Sequence, residues 1–183
     1  WHSDMSFTTI PPLGTMLYAL EMPDAGGDTM FANTALAYDA LSDGMKDMLD
    51  GLIGIYSAAL KRSGGRAKSF KTATAMAPKN MDSVEMEAEH PIVRTHPETG
   101  RKALFLGRGH TVRFKDMTEE ESLPLIDYLA AHCVRPEFTC RFSWGVGSLA
   151  LWDNRCTLHF AIDDYPGKRR RMRRLTIEGD TPV

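Results

Sequence analysis

A histidine and an aspartate stand two positions apart in Trp1-His2-Ser3-Asp4. A further histidine, His159, closes the stretch Trp152-Asp153-Asn154-Arg155-Cys156-Thr157-Leu158-His159. On an extended strand, residues two apart project from the same face, so His2 and Asp4 can share one metal ion. Alone, that triplet is an ordinary surface pair; the distant His159 changes its meaning. Two imidazoles and one carboxylate on one face of an octahedron leave three positions open, the donor set used by non-haem iron(II) oxygenases. A zinc hydrolase can be built on the same three ligands, and the triplet alone does not separate the two chemistries.

A second concentration of chemistry is the run Lys168-Arg169-Arg170-Arg171-Met172-Arg173-Arg174, which leads into the apolar residues 175–177. Its ordinary reading is a solvated basic stretch or a nucleic-acid patch. On a strand, however, Arg170, Met172 and Arg174 face one way while Arg169, Arg171 and Arg173 face the other. One face can then enter a pocket while the other meets solvent. Guanidinium groups grip carboxylates in a bidentate fork, so one or two inward arginines suit a dicarboxylate such as 2-oxoglutarate.

Taken together, residues 1–7, Gly26-Gly27-Asp28-Thr29, residues 90–97 and residues 152–176 resemble the taurine dioxygenase (TauD/TfdA) family in order and spacing over nearly the whole chain. That family includes taurine dioxygenase and enzymes that degrade 2,4-dichlorophenoxyacetate. The resemblance implies a mainly β fold with helices (α+β): a double-stranded β-helix, or jelly-roll, cupin-like core with a helical insertion. It implies an Fe(II)/2-oxoglutarate-dependent dioxygenase that consumes O2, hydroxylates a small organic acid such as a sulfonate or aryloxyalkanoate, and releases succinate and carbon dioxide. Carried over residue by residue, it makes His2, Asp4 and His159 the iron ligands. Thr29 and Arg170 would bind the distal carboxylate of 2-oxoglutarate. Arg174 would sit beside the co-substrate carboxylate at the iron and meet an acidic group on the substrate. A homo-oligomer is expected, with no nucleic-acid or membrane partner. The competing reading is a non-catalytic jelly-roll module that holds an anionic partner through residues 168–174.

The remaining histidines read mostly as structural. His90 and His96 flank a hairpin and are expected to make hydrogen bonds there, and His132 sits near a helix end, where a cation is favourable. His110, in Gly107-Arg108-Gly109-His110 just after an apolar strand, is a candidate for lining the substrate pocket.

The elements that must position these groups follow from periodicity and punctuation. Residues 15–22 read as a strand between Pro11-Pro12 and a Gly26-Gly27 turn. Residues 34–38 and 45–53 have helical spacing, with Ser42 as a cap for the second. Residues 61–89 lose any sustained period and read as a lid or insertion. A hairpin is expected over residues 90–106. Thr118 and Glu121 form a capping-box pattern before apolar residues at helical spacing, although Pro124 fits a start at residue 118 poorly and would favour one at Ser122. Residues 138–144, 148–152 and 173–177 read as strands.

The 183 residues suffice for one catalytic domain with a sizeable core, and a hydrophobic fraction of 43% is that of an ordinary globular protein. Twenty-two basic against 24 acidic residues give a formal charge of -2, so any anion binding must be local. Cys133, Cys140 and Cys156 lack zinc-type spacing and read as reduced thiols, and with no signal peptide or long apolar run the chain reads as cytoplasmic. Because the metal motif has no strand before it, an amino-terminal portion is expected to be missing.

Overall fold

The computed structural model describes residues 1–58 and 87–183. Alternation along the strand β1 (Gly14–Glu21) sets the frame. It pairs antiparallel with β9 (Leu149–Asp153) on one side and β11 (Arg171–Ile177) on the other. The register aligns Thr15 with Trp152 and Leu17 with Arg174 on the inward face. Met16 with Leu151 and Leu175, and Tyr18 with Leu149, lie on the outward face. A second sheet is ordered β10 (Thr157–Ala161), β2 (Thr29–Asn33), β8 (Thr139–Phe142) and places His159, Phe31 and Thr29 on one side. The two inner faces meet. The Phe31 ring lies 5.3 Å from Trp152, and Trp152 lies 4.9 Å from His159. These facing sheets form the jelly-roll core that the resemblance implied.

A third sheet runs β4 (Glu87–Pro91), β3 (Ile53–Ser57), β7 (Thr111–Phe114), and β5 (Val93–Thr95) pairs with β6 (Lys102–Leu104) in the expected hairpin. Helices α1 (Thr34–Asp39) and α2 (Asp43–Leu49) connect β2 to β3, and α3 (Glu119–Cys133) connects β7 to β8. A core including Ile92, Leu104, Phe114, Ile126, Leu129 and Leu158 seals the helices against the strands.

Two expectations change. Helix α2 is capped by Ser42 but stops at Leu49, because Gly51 has φ 74° and Ile53 already belongs to β3. Helix α3 starts directly after Thr118, with both halves of its capping box formed, despite Pro124. Pro124 and Glu120 are exposed, so the carbonyl left without its helical donor lies on the solvent side. Of the lid expected over residues 61–89, positions 61–86 lie outside the described residues and 87–89 belong to β4.

Candidate active site

His2, Asp4 and His159 come together between the two facing sheets, each offering one ligand atom, with all three atoms within 4.8 Å of one another. The two histidines are joined by their own backbones. His2 N–H donates to the His159 carbonyl at 3.1 Å and His159 N–H to that of His2 at 2.9 Å, and the imidazole centroids lie 4.2 Å apart. His2 and Asp4 do not share a strand, contrary to the same-face expectation. His2 forms an isolated bridge, and residues 4–7 make a turn in which Met5 takes φ 46°. That turn aims the carboxylate. Asp4 Oδ1 lies 3.8 Å from His2 Nε2 and 3.7 Å from His159 Nε2.

The other oxygen of Asp4 is engaged behind the site. Thr15 Oγ1 donates to Oδ2 at 2.7 Å, Asn154 Nδ2 donates to that Thr15 hydroxyl at 2.9 Å, and Trp152 Nε1 donates to Asn154 Oδ1 at 3.0 Å. Asp4, Thr15 and Asn154 are 4%, 0% and 1% exposed, so this chain of hydrogen bonds is closed to water. The direction of each bond in it is fixed, since the indole can only donate and the threonine, having given its proton to Asp4, accepts from the amide. Two imidazoles and a carboxylate oriented in this way can hold a divalent first-row metal ion.

Arg174 projects inward from β11, and its Nη2 lies 3.1 Å from Asp4 Oδ1. Arg170, just before the strand, also turns inward. Its Nε donates to the Gly27 carbonyl at 3.1 Å, and its guanidinium carbon lies 6.0 Å from the ring centres of both Trp144 and Tyr165. The outward residues behave differently: Arg169 and Arg171 both pair with Glu21, at 2.8 and 2.9 Å. The basic run is therefore divided by strand alternation into a site half and a surface half, not spread as one anion-binding patch.

The Gly-Gly-Asp-Thr segment holds the floor of this region. Gly26 and Gly27 have φ 85° and 73°, and a Cβ on Gly27 would stand 3.0 Å from Arg170 Cδ. Asp28 Oδ2 accepts from Arg141 Nε at 2.7 Å and Ser143 Oγ at 2.9 Å. Burial opposes its ionisation, but these hydrogen bonds and the Arg141 charge outweigh that and hold it below the usual carboxylate range. Thr29, 2% exposed, accepts a hydrogen bond from Trp144 Nε1 at 2.9 Å. Arg170 Nη2 is buried and has no hydrogen-bond partner among the described residues. A buried guanidinium nitrogen of that kind suits an anion supplied from outside the chain.

Beside the metal-ligand group, a pocket is lined by His2, Ser3, Ser6, Tyr56, Phe105, Leu106, Gly107 and His110. His110 Nδ1 lies 2.8 Å from Ser6 Oγ, which places it on the pocket wall. His90 and His96 make the expected structural hydrogen bonds, to the Thr8 carbonyl and Asp153, and His132 Nε2 lies 2.8 Å from the Ala37 carbonyl. His96, Asp153 and Cys156 also cluster at ligand distances. There, however, the Arg155 guanidinium covers the Asp153 carboxylate, with Nη2 at 2.6 Å, so that oxygen pair is already neutralised. The three cysteines are free thiols, and burial pushes Cys133 up to about 12.

Sequence reasoning missed Thr15, Asn154 and Trp144. Asn154 and Trp144 carried a signal in the Trp-Asp-Asn triplet and in the alternation of residues 138–144; Thr15 carried none.

A sequence model of the family described as "Taurine catabolism dioxygenase TauD, TfdA family" matches residues 1–176. The chain is 39% identical to an alpha-ketoglutarate-dependent sulfate ester dioxygenase of Pseudomonas putida, covering 100% of this chain and 60% of that protein. It is 37% identical to an alpha-ketoglutarate-dependent 2,4-dichlorophenoxyacetate dioxygenase of Cupriavidus pinatubonensis, covering 100% of this chain and 61% of that one. The crystal structure of a taurine dioxygenase from Burkholderia xenovorans superposes with a TM-score of 0.82 at 35% identity, over 100% of this chain and 58% of that structure. The chain thus spans about 60% of the length of these two relatives.

Proposed function

The chain belongs to the TauD/TfdA family of taurine catabolism dioxygenases, and from that premise we propose that it is the catalytic part of an iron(II)- and 2-oxoglutarate-dependent dioxygenase that hydroxylates a small organic acid. The observation that carries this reading is the meeting of a three-donor group, His2, Asp4 and His159, with Arg174 of β11, while Arg170 of the same basic run turns to Gly27 with a buried guanidinium nitrogen that has no partner among the described residues. Iron(II) held by those donors, with 2-oxoglutarate bound, supplies the oxidising chemistry: one atom of O2 ends in succinate with loss of carbon dioxide, and the other enters a substrate C–H bond as hydroxyl.

The chain's own residues position and shield. Thr15 and Asn154 keep the Asp4 carboxylate turned so that one oxygen faces both imidazoles. Thr29 and Arg170 receive the distal carboxylate of 2-oxoglutarate. Arg174 stands next to Asp4 and offers its remaining donors to the co-substrate carboxylate and to an acidic group on the substrate. The apolar side chains of Phe105 and Leu106, with Ser6 and His110 at the pocket wall, take the organic part of that substrate. The relatives act on a sulfate ester, an aryloxyacetate and taurine, all organic acids, and a cationic Arg174 fits each of them.

The reading is tested by succinate formation from 2-oxoglutarate with iron(II), ascorbate and a panel of alkyl sulfates, sulfonates and aryloxyalkanoates. Turnover is expected to depend on both iron and an acid from the panel, and Asp4→Ala is expected to bring it to background with at least ~100-fold weaker metal binding. Unchanged metal affinity in Asp4→Ala would remove the site assignment. Activity that persists without oxygen and 2-oxoglutarate would favour the hydrolase.

A further inference from the structure

The indole of Trp144 touches both residues assigned to the distal carboxylate. Its Nε1–H donates to Thr29 Oγ1 at 2.9 Å, and its ring centre lies 6.0 Å from the Arg170 guanidinium carbon. The ring is fixed in turn by Phe142, at 4.8 Å and 75° between planes, and Trp144 is only 8% exposed. An indole N–H can donate but never accept, whereas a threonine hydroxyl can do either. The indole proton therefore occupies a Thr29 lone pair and turns the Thr29 O–H away as a donor. Arg170 is held at its Nε by Gly27, over the two aromatic rings, with Nη2 buried and without a partner among the described residues.

We propose that Trp144 is the positioning residue that fixes this pair as an all-donor clamp, selecting co-substrates by the charge at their distal end. The inference rests on the metal and 2-oxoglutarate reading above. A hydroxyl free to rotate could adapt to a neutral or donor group. One locked by an indole accepts only an acceptor, and beside a buried guanidinium that means an anion. Trp144 thus makes a 2-oxo acid that lacks a second carboxylate a poor occupant without touching the ligand.

The experiment compares binding of 2-oxoglutarate and pyruvate to the 183-residue chain loaded with manganese(II) under nitrogen, by calorimetry, for the parent, Trp144→Phe, Thr29→Val and the double variant. Phenylalanine keeps a ring beneath Arg170 and removes the N–H. The expected result is a 2-oxoglutarate dissociation constant raised about 10-fold in Trp144→Phe, in line with loss of one oriented hydrogen bond to a charged group. Pyruvate and manganese affinities should not change. In the Thr29→Val background, Trp144→Phe should add less than about 2-fold, because its effect runs through that hydroxyl. Equal weakening of both acids, or full additivity of the two substitutions, overturns the proposal.

If Trp144→Phe does not fold, the unsubstituted chain still decides the matter. With zinc(II) bound and tryptophan nitrogens labelled, the indole N–H resonance that moves in Thr29→Val should stay hydrogen-bonded when 2-oxoglutarate is added. A switch of that N–H hydrogen bond from Thr29 to the ligand would show direct contact and sink the positioning role. Failure of the parent to bind 2-oxoglutarate in any metal-loaded form is a separate outcome, and it removes the underlying reading along with this one.

Discussion

Asp4 divides its work between its two oxygens. Oδ1 faces the imidazoles and Arg174, while Oδ2 is held by Thr15, which is held by Asn154. Thr15→Val keeps the shape of the side chain and removes its hydroxyl, leaving Asp4 Oδ2 without this donor and Asn154 Nδ2 without its acceptor. Metal affinity is expected to fall ~10- to 100-fold, as measured by competition with a calibrated chelator, and stability by about 1–3 kcal/mol. Equal affinity in the variant would show that the turn at residues 4–7 orients the carboxylate unaided. This division also explains what could be read in advance. His2, Asp4, His159, Arg170 and Arg174 are legible because their chemistry is rare and their spacing repeats a known motif. Thr15 reads as one more β-branched strand residue. Its role exists only because β1 lies beside β9, which brings Asn154 to it from the far end of the chain.

At the level of elements, caps and the hairpin were read well, while the weight given to Pro124, the end of α2 and the non-local pairings were not. Ser42, the Thr118 box and the 93–104 hairpin are determined by neighbours within a few residues, and each formed. The helical spacing over residues 45–53 takes in only Ile53 of the short strand β3, and nothing local marks the rest of that strand; its partners, β4 and β7, lie well beyond it in sequence. That sheet carries a pH-sensitive contact. His90 on β4 is 2% exposed, and its Nε2 meets the Thr8 carbonyl at 2.9 Å. Burial, followed by the charge of Arg94, holds it below the ordinary histidine value in spite of hydrogen bonds that favour the proton. A base whose folded value is depressed binds protons more readily when unfolded, so stability is full above the unfolded value and declines as pH falls below about 6.5. Urea unfolding should lose up to about 1.4 kcal/mol per pH unit from this group, and His90→Gln, which retains a donor, should flatten that slope. The Asp153 carboxylate, held below its usual range by Arg155 despite burial, responds only below about pH 4, so the two windows separate.

Across the whole molecule, the alternation that turns Thr15, Trp152 and Arg174 inward turns Tyr18, Leu149, Leu151, Leu175 and Ile177 outward, at 40%, 54%, 60%, 60% and 41% exposure. Five large apolar residues on one sheet face exceed what scattered surface hydrophobics account for. The 183-residue chain is expected to enhance the fluorescence of an apolar dye in its folded state, and Leu151→Thr with Leu175→Thr to reduce that signal by more than half with no change in metal affinity. Dye binding unaffected by the pair would place the apolar surface elsewhere. The backbone bridge between His2 and His159 has a different reach. It joins segments near opposite ends of the sequence, and the entropy lost in closing so long a loop must be met before these ligands can meet. A folding chain therefore owns the separate donors early and the chelating set late. Metal bound to that set would act as a cross-link between residues 2 and 159, resisting the opening of this segment as a whole more than local fluctuation.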